Sequence, residues 1–379
     1  MNLKDQTYPG SNGTSNNWPT WTTPLMRWAK KQGAYCGYAH SANGLGVSPP
    51  KLAKRILGEL DTNQDGVLSR EEAAKGLLPA PFDDLDLNKD GKLTEDELVK
   101  GIGRVMNQLP NLAIPQMDGI GAQEICVTTA QGLCDFISAM DTQRVPEWNC
   151  WYHIMNCGFP LKVSGETDFP CISGSRVGEG RVYVQLGKVP KLDFPTWCEG
   201  LAKGRSYVSD GYAHALEFSV EGKRPAEEVA LAKAGKVTVK AKVTFARDLP
   251  LGTAKGGAVS PGDKRLVEVV VNGKAVASQQ VPADDKVHDL TFTIDVDRSS
   301  WVTLRAFPQL HTNPVNVIVA GQPIRASRQS ALWCIGSIEQ LWRVRASAIA
   351  PNERSEAEQT FQRAIQAYRK IAAECPEGS

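Results

Sequence analysis

The stretch DTNQDGVLSREE (61–72) is repeated downstream as DLNKDGKLTEDE (86–97), and these two windows decide how the chain around them is read. A hard cation such as Ca²⁺ takes six to eight oxygens at about 2.3–2.6 Å. The first window offers them in order: the side chains of Asp61, Asn63 and Asp65, the carbonyl of Val67, Ser69 through a water, and both oxygens of Glu72. The second offers Asp86, Asn88, Asp90, the Lys92 carbonyl, Thr94 and Glu97. Gly66 and Gly91 occupy the sharp turn, where φ is positive and a Cβ is costly. Leu68 and Leu93 hold the same apolar position, expected to pair back to back. One D-x-N-x-D-G string arises by chance in an acidic turn, whereas two complete copies with their terminal Glu point to two calcium sites.

The flanks agree. Leu52, Ile56, Leu57 and Leu60 fall on one face of a helix before the first loop, and Leu98, Ile102, Val105 and Leu109 do so after the second. With every ligand position matched, residues 50–109 resemble the EF-hand family. Only residues 73–85 separate the loops, and they contain Pro79 and Pro81, so the inner helices must be short. A compact, static pair is expected, not a sensor that opens a groove.

The whole chain has 379 residues, enough for two or three domains. Its 43 Lys plus Arg balance 42 Asp plus Glu, so no net field draws it to nucleic acid or to an anionic membrane. No apolar run approaches a membrane span, and NLKDQTYPGSNG after Met1 lacks the charged start and apolar core of a signal peptide. The nine cysteines, six of them between positions 126 and 198, show no zinc-ribbon or thioredoxin spacing. Most read as small buried hydrophobes, with one or two disulfides left open. Asn12-Gly13-Thr14 is a glycosylation sequon only in a secretory pathway.

Taken in order, residues 1–24 read as loop, LMRWAKKQG as a helix ending at Gly33, and AYCGYAH as a strand ending at His40. Beyond the calcium pair, MDGIGAQEICVTT is expected as a strand with Glu124 in its middle, and 131–139 as a helix. RVPEWNCWYHIMNCGF reads as a buried helix, and LKVSGETDFP as a strand ending in the carboxylates Glu166 and Asp168. Helix and strand thus alternate on both sides of the calcium pair, the arithmetic of an insertion. After RVYVQL and a helix around TWCEGLAKG, roughly seven short strands with turns such as Asn272-Gly273 argue a β-sandwich. A last helix from Pro351 carries the stripe Phe361, Ile365, Tyr368 and Ile371, expected to pack on its own protein.

The strings GAYCGYAH, NCGFPLKVSGETDFP, GLAKGRSYVSDG and LRAFPQLHTNPVNV resemble the polymerase-and-histidinol-phosphatase (PHP) metallohydrolases in their CehA/McbA-like branch. The resemblance covers about residues 20–48 and 112–345. It implies a distorted β/α barrel that hydrolyses phosphoester, carbamate or amide bonds of a small-molecule substrate with Zn²⁺ or Mn²⁺. His40 matches that family's lone histidine ligand and Asp168 the acid of its late D-x-H motif. The motif's own histidine is Phe169 here, and the opening H-x-H would lie upstream of residue 1. The five histidines (40, 153, 214, 288, 311) form no H-x-H or H-x-x-x-H. The chain therefore reads as the C-terminal portion of a longer hydrolase, secreted or periplasmic in that case, or as a degenerate relative; for His40 a ligand role and a core role stand level.

The expected fold is α+β and multidomain. A partial PHP-like α/β barrel takes residues 1–48 and 112–210, an inserted helical EF-hand pair 49–111, an antiparallel β-sandwich 211–348 and a C-terminal helix 349–379. The function expected is calcium binding, structural in role, with an active hydrolase and a non-catalytic surface-binding protein as alternatives. Other signals are weaker. Gly174, Gly178 and Gly180 faintly resemble a phosphate loop without its Gly-Lys-Ser/Thr and read as turn residues. His311 is expected in a loop at the sandwich edge, and Arg343 and Arg345 on a solvated face.

Overall fold

The computed structural model describes residues 1–11, 13, 16–119, 121, 123–168, 177–249, 259 and 262–376. Asn12 and Thr14 of the sequon, Phe169, Cys171 and Gly174 lie outside them. The chain opens with helix α1 (Thr22–Lys31), stopped by Gly33 at φ +79°, and strand β1 (Gly37–Tyr38). Helix α2 (Pro49–Leu60), strand β2 (Leu68–Ser69), helices α3 (Arg70–Ala73) and α4 (Phe82–Leu85), strand β3 (Lys92–Leu93) and helix α5 (Glu95–Val105) follow. The inner helices α3 and α4 have four residues each, as the two prolines between them require.

Helix α6 (Ile125–Ala130), strand β4 (Phe136–Ser138), helix α7 (Arg144–Asn156) and strand β5 (Lys162–Ser164) complete the first layer. Strands β1, β4 and β5 pair in parallel in that order, with Gly37 opposite Phe136 and Ile137 opposite Val163. Parallel neighbours need a crossover. Helix α7 is the crossover between β4 and β5, and the calcium pair with α6 lies in the one between β1 and β4. The sheet stays open at three strands, and the expected barrel is not closed among the described residues.

Two expectations here are corrected. Residues 125–130, expected as strand, are helix α6 with Glu124 at its N-cap, and 136–138, expected as helix, are strand β4. Ile125, Cys126, Val127, Thr128 and Thr129 are all buried, which erases the amphipathic period, and a three-residue strand is too short to show alternation.

The rest of the chain is mainly antiparallel. Strand β6 (Arg181–Val184), helix α8 (Phe194–Ala202) and strands β7 (Ser206–Ser209), β8 (Ala213–Val220) and β9 (Glu228–Leu231) come first. Then come β10 (Gly235–Phe245), β11 (Lys264–Val271), β12 (Lys274–Pro282), β13 (Val287–Val296), β14 (Ser300–Ala306), β15 (Leu310–Thr312) and β16 (Val315–Val319). One sheet runs β13-β10-β8, the other β12-β11-β14-β15-β7-β6, with β16 also on β14 and β9 parallel to β16. Their facing side chains, Val239 and Phe245 against Val267 and Leu304 among them, share one apolar core. Strands β6 and β7 precede residue 211 yet are hydrogen-bonded into the larger sheet through β15. Asn272 and Gly273 join β11 to β12 with φ of +50° and +90°, the conformation such a two-residue hairpin selects.

Helices α9 (Arg328–Arg345) and α10 (Arg354–Glu374) return to the first layer. The stripe of α10 is buried as expected. Helix α9 was not foreseen: Ala331, Trp333, Cys334, Ile335, Ile338 and Leu341 are buried around much of its circumference, which blurs a helical stripe. One continuous core runs through Leu98 and Ile102 of α5, Ile137 of β4, Trp151 of α7, Ile335 of α9 and Phe361 of α10. The cysteines among the described residues are free thiols, all buried except the half-buried Cys134, so the disulfides left open in the sequence are not formed there. No described helix is long and apolar enough to cross a membrane.

Candidate functional site

Each calcium loop is wound around its own side chains. In the first, the backbone N–H groups of Gly66 and Asp65 donate to Asp61 Oδ2 and Oδ1 at 2.9 and 3.3 Å; Asp65 also donates to Asn63 Oδ1 at 2.9 Å and Val67 to Asp65 Oδ1 at 3.1 Å. The second repeats this with Gly91 and Asp90 on Asp86, Asp90 on Asn88, and Lys92 on Asp90. Positive φ falls at Gln64 and Gly66, and at Lys89 and Gly91. Such a chain of inward-turned side chains brings the residues at the first, third and fifth positions toward the centre of the loop. Leu68 and Leu93 then pair across the antiparallel bridge β2–β3, joining the loops back to back.

The terminal glutamates close both loops. Ser69 donates to Glu72 Oε2 through its N–H and hydroxyl at 3.0 and 2.8 Å, while Glu72 Oε1 reaches back to the N–H groups of Thr62 and Asn63 at 3.0 and 3.3 Å. Glu97 does the same with Thr94, Leu87 and Asn88. Both are capping boxes, with Ser69 and Thr94 as N-caps of α3 and α5. Hydrogen bonds led by the Ser69 N–H hold the Glu72 carboxyl down to about 2. For Glu97 burial acts upward, and the Thr94, Asn88 and Leu87 bonds outweigh it, leaving its pKa lowered.

The donors are carboxylate, amide, hydroxyl and carbonyl oxygens without thiol or imidazole, a set that fits a hard cation. Asp61, Asn63, Asp65, the Val67 carbonyl, Ser69 and Glu72 would hold the first ion, and Asp86, Asn88, Asp90, the Lys92 carbonyl, Thr94 and Glu97 the second. As the loops stand, no three His, Cys, Asp or Glu side chains among the described residues gather into a metal-holding group. In both loops the terminal glutamate oxygens accept from the loop's own amides and hydroxyls.

A second polar cluster lies at the C-terminal ends of the parallel strands. His40 follows β1, Asp141 follows β4, and Glu166 and Asp168 follow β5. His40 Nδ1 stands 2.8 Å from Asp141 Oδ2 and Nε2 3.5 Å from Asp168 Oδ2, so the two residues singled out in the sequence do meet. His40 and Asp168 both have left-handed backbones, at φ +49° and +55°. Asp141 Oδ1 and Glu166 Oε1 are buried without a hydrogen-bond partner among the described residues. Burial, and then the Asp141 charge, raises the Glu166 pKa. Asp141 was missed in the sequence because its strand was read as helix; correctly placed, it follows a strand end just as His40 does.

The other histidines are bonded elsewhere. His311, expected in an edge loop, is buried in β15, between the rings of Trp148 and Trp151 at 4.8 and 4.7 Å. His153 stacks on Trp333 at 4.4 Å and bonds the Asn111 carbonyl and the Ser330 hydroxyl. His214 bonds Tyr207 and His288 bonds Asp284. Gly180 is a close-approach residue: a Cβ there would lie 1.9 Å from the Glu166 carbonyl oxygen and 2.5 Å from that of Met140.

Neither a curated protein nor a solved structure matches the chain. The EF hand family does match it, over residues 53–72 and 81–102, two segments that contain both calcium loops, and this supports calcium binding by the chain.

Proposed function

We propose that the two loops bind calcium as a structural brace for the helical layer of this protein. The observation that carries this reading is the docking of α2 onto α9. Arg55 Nη2 donates to the Gly336 carbonyl at 3.4 Å, and Glu59 accepts from both Arg55 and Arg343. Since α2 leads directly into Asp61, whatever holds the first loop also holds this contact. Bound calcium supplies the positive charge that offsets the carboxylates drawn into each loop, and its binding energy is folding energy where the site exists only in the folded chain. At calcium a hundredfold above Kd the gain is about 2.7 kcal/mol per site. Calcium should raise the thermal midpoint, and Glu72→Gln with Glu97→Gln should abolish the rise. Calorimetry showing no calcium binding by the unsubstituted chain would sink the proposal.

A second reading, metal-dependent hydrolysis of a phosphoester, carbamate or amide in a PHP-like framework, is favoured by one observation. His40 stands 2.8 Å from Asp141 and 3.5 Å from Asp168 at strand C-terminal ends, and buried oxygens of Asp141 and Glu166 lack partners among the described residues, a negative cluster that a Zn²⁺ or Mn²⁺ ion would have to draw closer to be held. In this reading His40 and Asp168 are metal ligands; each ring nitrogen of His40 stands beside a carboxylate, Nδ1 by Asp141 and Nε2 by Asp168, so ligation would need one of these contacts to open. With the calcium loops disabled by Glu72→Gln and Glu97→Gln, manganese should still bind by calorimetry and Asp141→Asn should weaken it. Manganese heats that Asp141→Asn leaves unchanged would count against this reading, as would hydrolysis untouched by His40→Ala.

A further inference from the structure

Where the end of α5, the start of α7, helix α9 and the loop after β14 meet, they leave a cavity of about 420 Å³. Its walls are mainly hydrocarbon: Leu45 and Val47 from the segment between β1 and α2, Met106 at the C-cap of α5, Val145 in the first turn of α7, and Trp333 of α9. Phe307, 44% exposed, also borders it. Small-molecule pockets follow the same rule, about 300–1,000 Å³ with apolar walls and few placed polar groups.

Asn149 is the placed group. It is buried, and its Oδ1 accepts from the Asn111 N–H at 2.8 Å, which identifies Nδ2 as the other arm of the amide. Nδ2 donates to no partner among the described residues, yet it is not sealed off as Arg144 Nε is, and Asn149 borders the cavity. A half-satisfied buried amide calls for an acceptor. The other polar walls ask for no ion. Asn107 and Gln143 are neutral amides, and Asn111 spends its side chain on the Met106 and Gln108 carbonyls and the Ala113 N–H. Arg144, the one charged residue among the described walls, is buried, donates to the Thr142 carbonyl and feels the charges of Glu147, Glu179, Asp210 and Asp141. An anion would meet those carboxylates and a cation the guanidinium, so an uncharged guest is favoured. Phe307 and Trp333 offer it ring surface.

We propose that this cavity binds a small neutral aromatic carbonyl compound, whose oxygen accepts from Asn149 Nδ2 while its ring lies among Met106, Val145, Phe307 and Trp333. None of the walls is a calcium ligand or a member of the His40 cluster.

The test is calorimetric titration of acetophenone into the full chain at about pH 8, with ethylbenzene as the guest that lacks an acceptor and benzoate as the charged one. Saturable binding of acetophenone and ethylbenzene is expected, with benzoate at least about tenfold weaker than acetophenone. Asn149→Asp keeps an oxygen for the Asn111 N–H and removes the donor. It should lower the ratio of acetophenone to ethylbenzene affinity by about tenfold and leave ethylbenzene unchanged. Val145→Trp fills the cavity and should remove both guests, with a single cooperative urea transition as the sign of an intact fold. No acetophenone binding, benzoate as tight as acetophenone, a ratio unchanged in Asn149→Asp, or guests undisturbed by Val145→Trp each overturns the proposal.

Discussion

Leu68 stands directly opposite Leu93 across the short bridge β2–β3, and both side chains are fully buried. This contact is where one calcium loop meets the other, because each leucine directly follows the seventh residue of its own loop, Val67 in the first and Lys92 in the second. Leu68→Ala should therefore do more than open a cavity. A loss of about 2–5 kcal/mol is expected from the truncation, together with weaker calcium binding at both loops. Chelator-competition titration reads the two affinities; a second loop whose affinity is unchanged by Leu68→Ala would show the loops to be independent.

Tyr152 and His311 join helix α7 to the larger sheet. His311 Nδ1 faces the Thr312 carbonyl at 2.9 Å, an acceptor only, so Nδ1 carries the proton and Nε2 accepts from the Tyr152 hydroxyl at 2.6 Å. Tyr152→Phe leaves that buried nitrogen unanswered and should cost about 1–3 kcal/mol by urea unfolding. Burial also holds the His311 pKa down to about 3, and that of His153 to about 4, from the usual imidazole value of 6.5. The unfolded chain binds these protons first, so their contribution is fully present above pH 6.5 and is lost as pH falls toward 3. Substituting either histidine with a neutral isostere such as Gln should flatten that acid limb, whatever its cost at neutral pH.

The calcium loops were legible because their chemistry is local: twelve adjacent residues supply the donors, and the side chains bond amides within the same twelve. The His40 cluster was legible only in part. His40 and Asp168 stood out by residue type and strand-end position, but Asp141 depended on a three-residue strand that carries no period, next to a helix buried on every side. Helix α9 was hidden by the same effect, since a helix wrapped by neighbours shows no polar face. Arg55 could not have been chosen from sequence at all. It reads as one more cation on an amphipathic helix until α9, nearly three hundred residues on, encloses it.

Gly180 controls how closely the turn before β6 approaches the ends of the parallel strands. An alanine Cβ would fall within 1.9 Å of the Glu166 carbonyl oxygen, so backbone and not a pliable side chain must move. Gly180→Ala should destabilise by about 1–3 kcal/mol and shift the chemical shifts of Met140, Asp141 and Glu166, leaving the calcium loops as they were. An amide spectrum altered only at Gly180 and its sequence neighbours would show that the turn has room to spare.

Glu147 gives the protein an alkaline weakness. It is fully buried in α7, accepts from the Thr142 N–H at 3.2 Å and from the Thr142 hydroxyl, and feels the charge of Arg144. Burial pushes its pKa up to about 8 against the pull of Arg144, from the usual carboxylate value of 4.5. A group whose folded pKa is raised contributes stability that is complete below its unfolded pKa and is lost as pH climbs through the folded one. The urea midpoint should therefore fall between about pH 5 and 8 in the native chain on account of this residue. Glu147→Gln keeps an acceptor for Thr142 and cannot ionise, so its midpoint should hold level across that window and overtake the native chain near pH 8. Parallel pH profiles for the two proteins would place the ionisation of Glu147 outside the window and remove burial as its dominant cause.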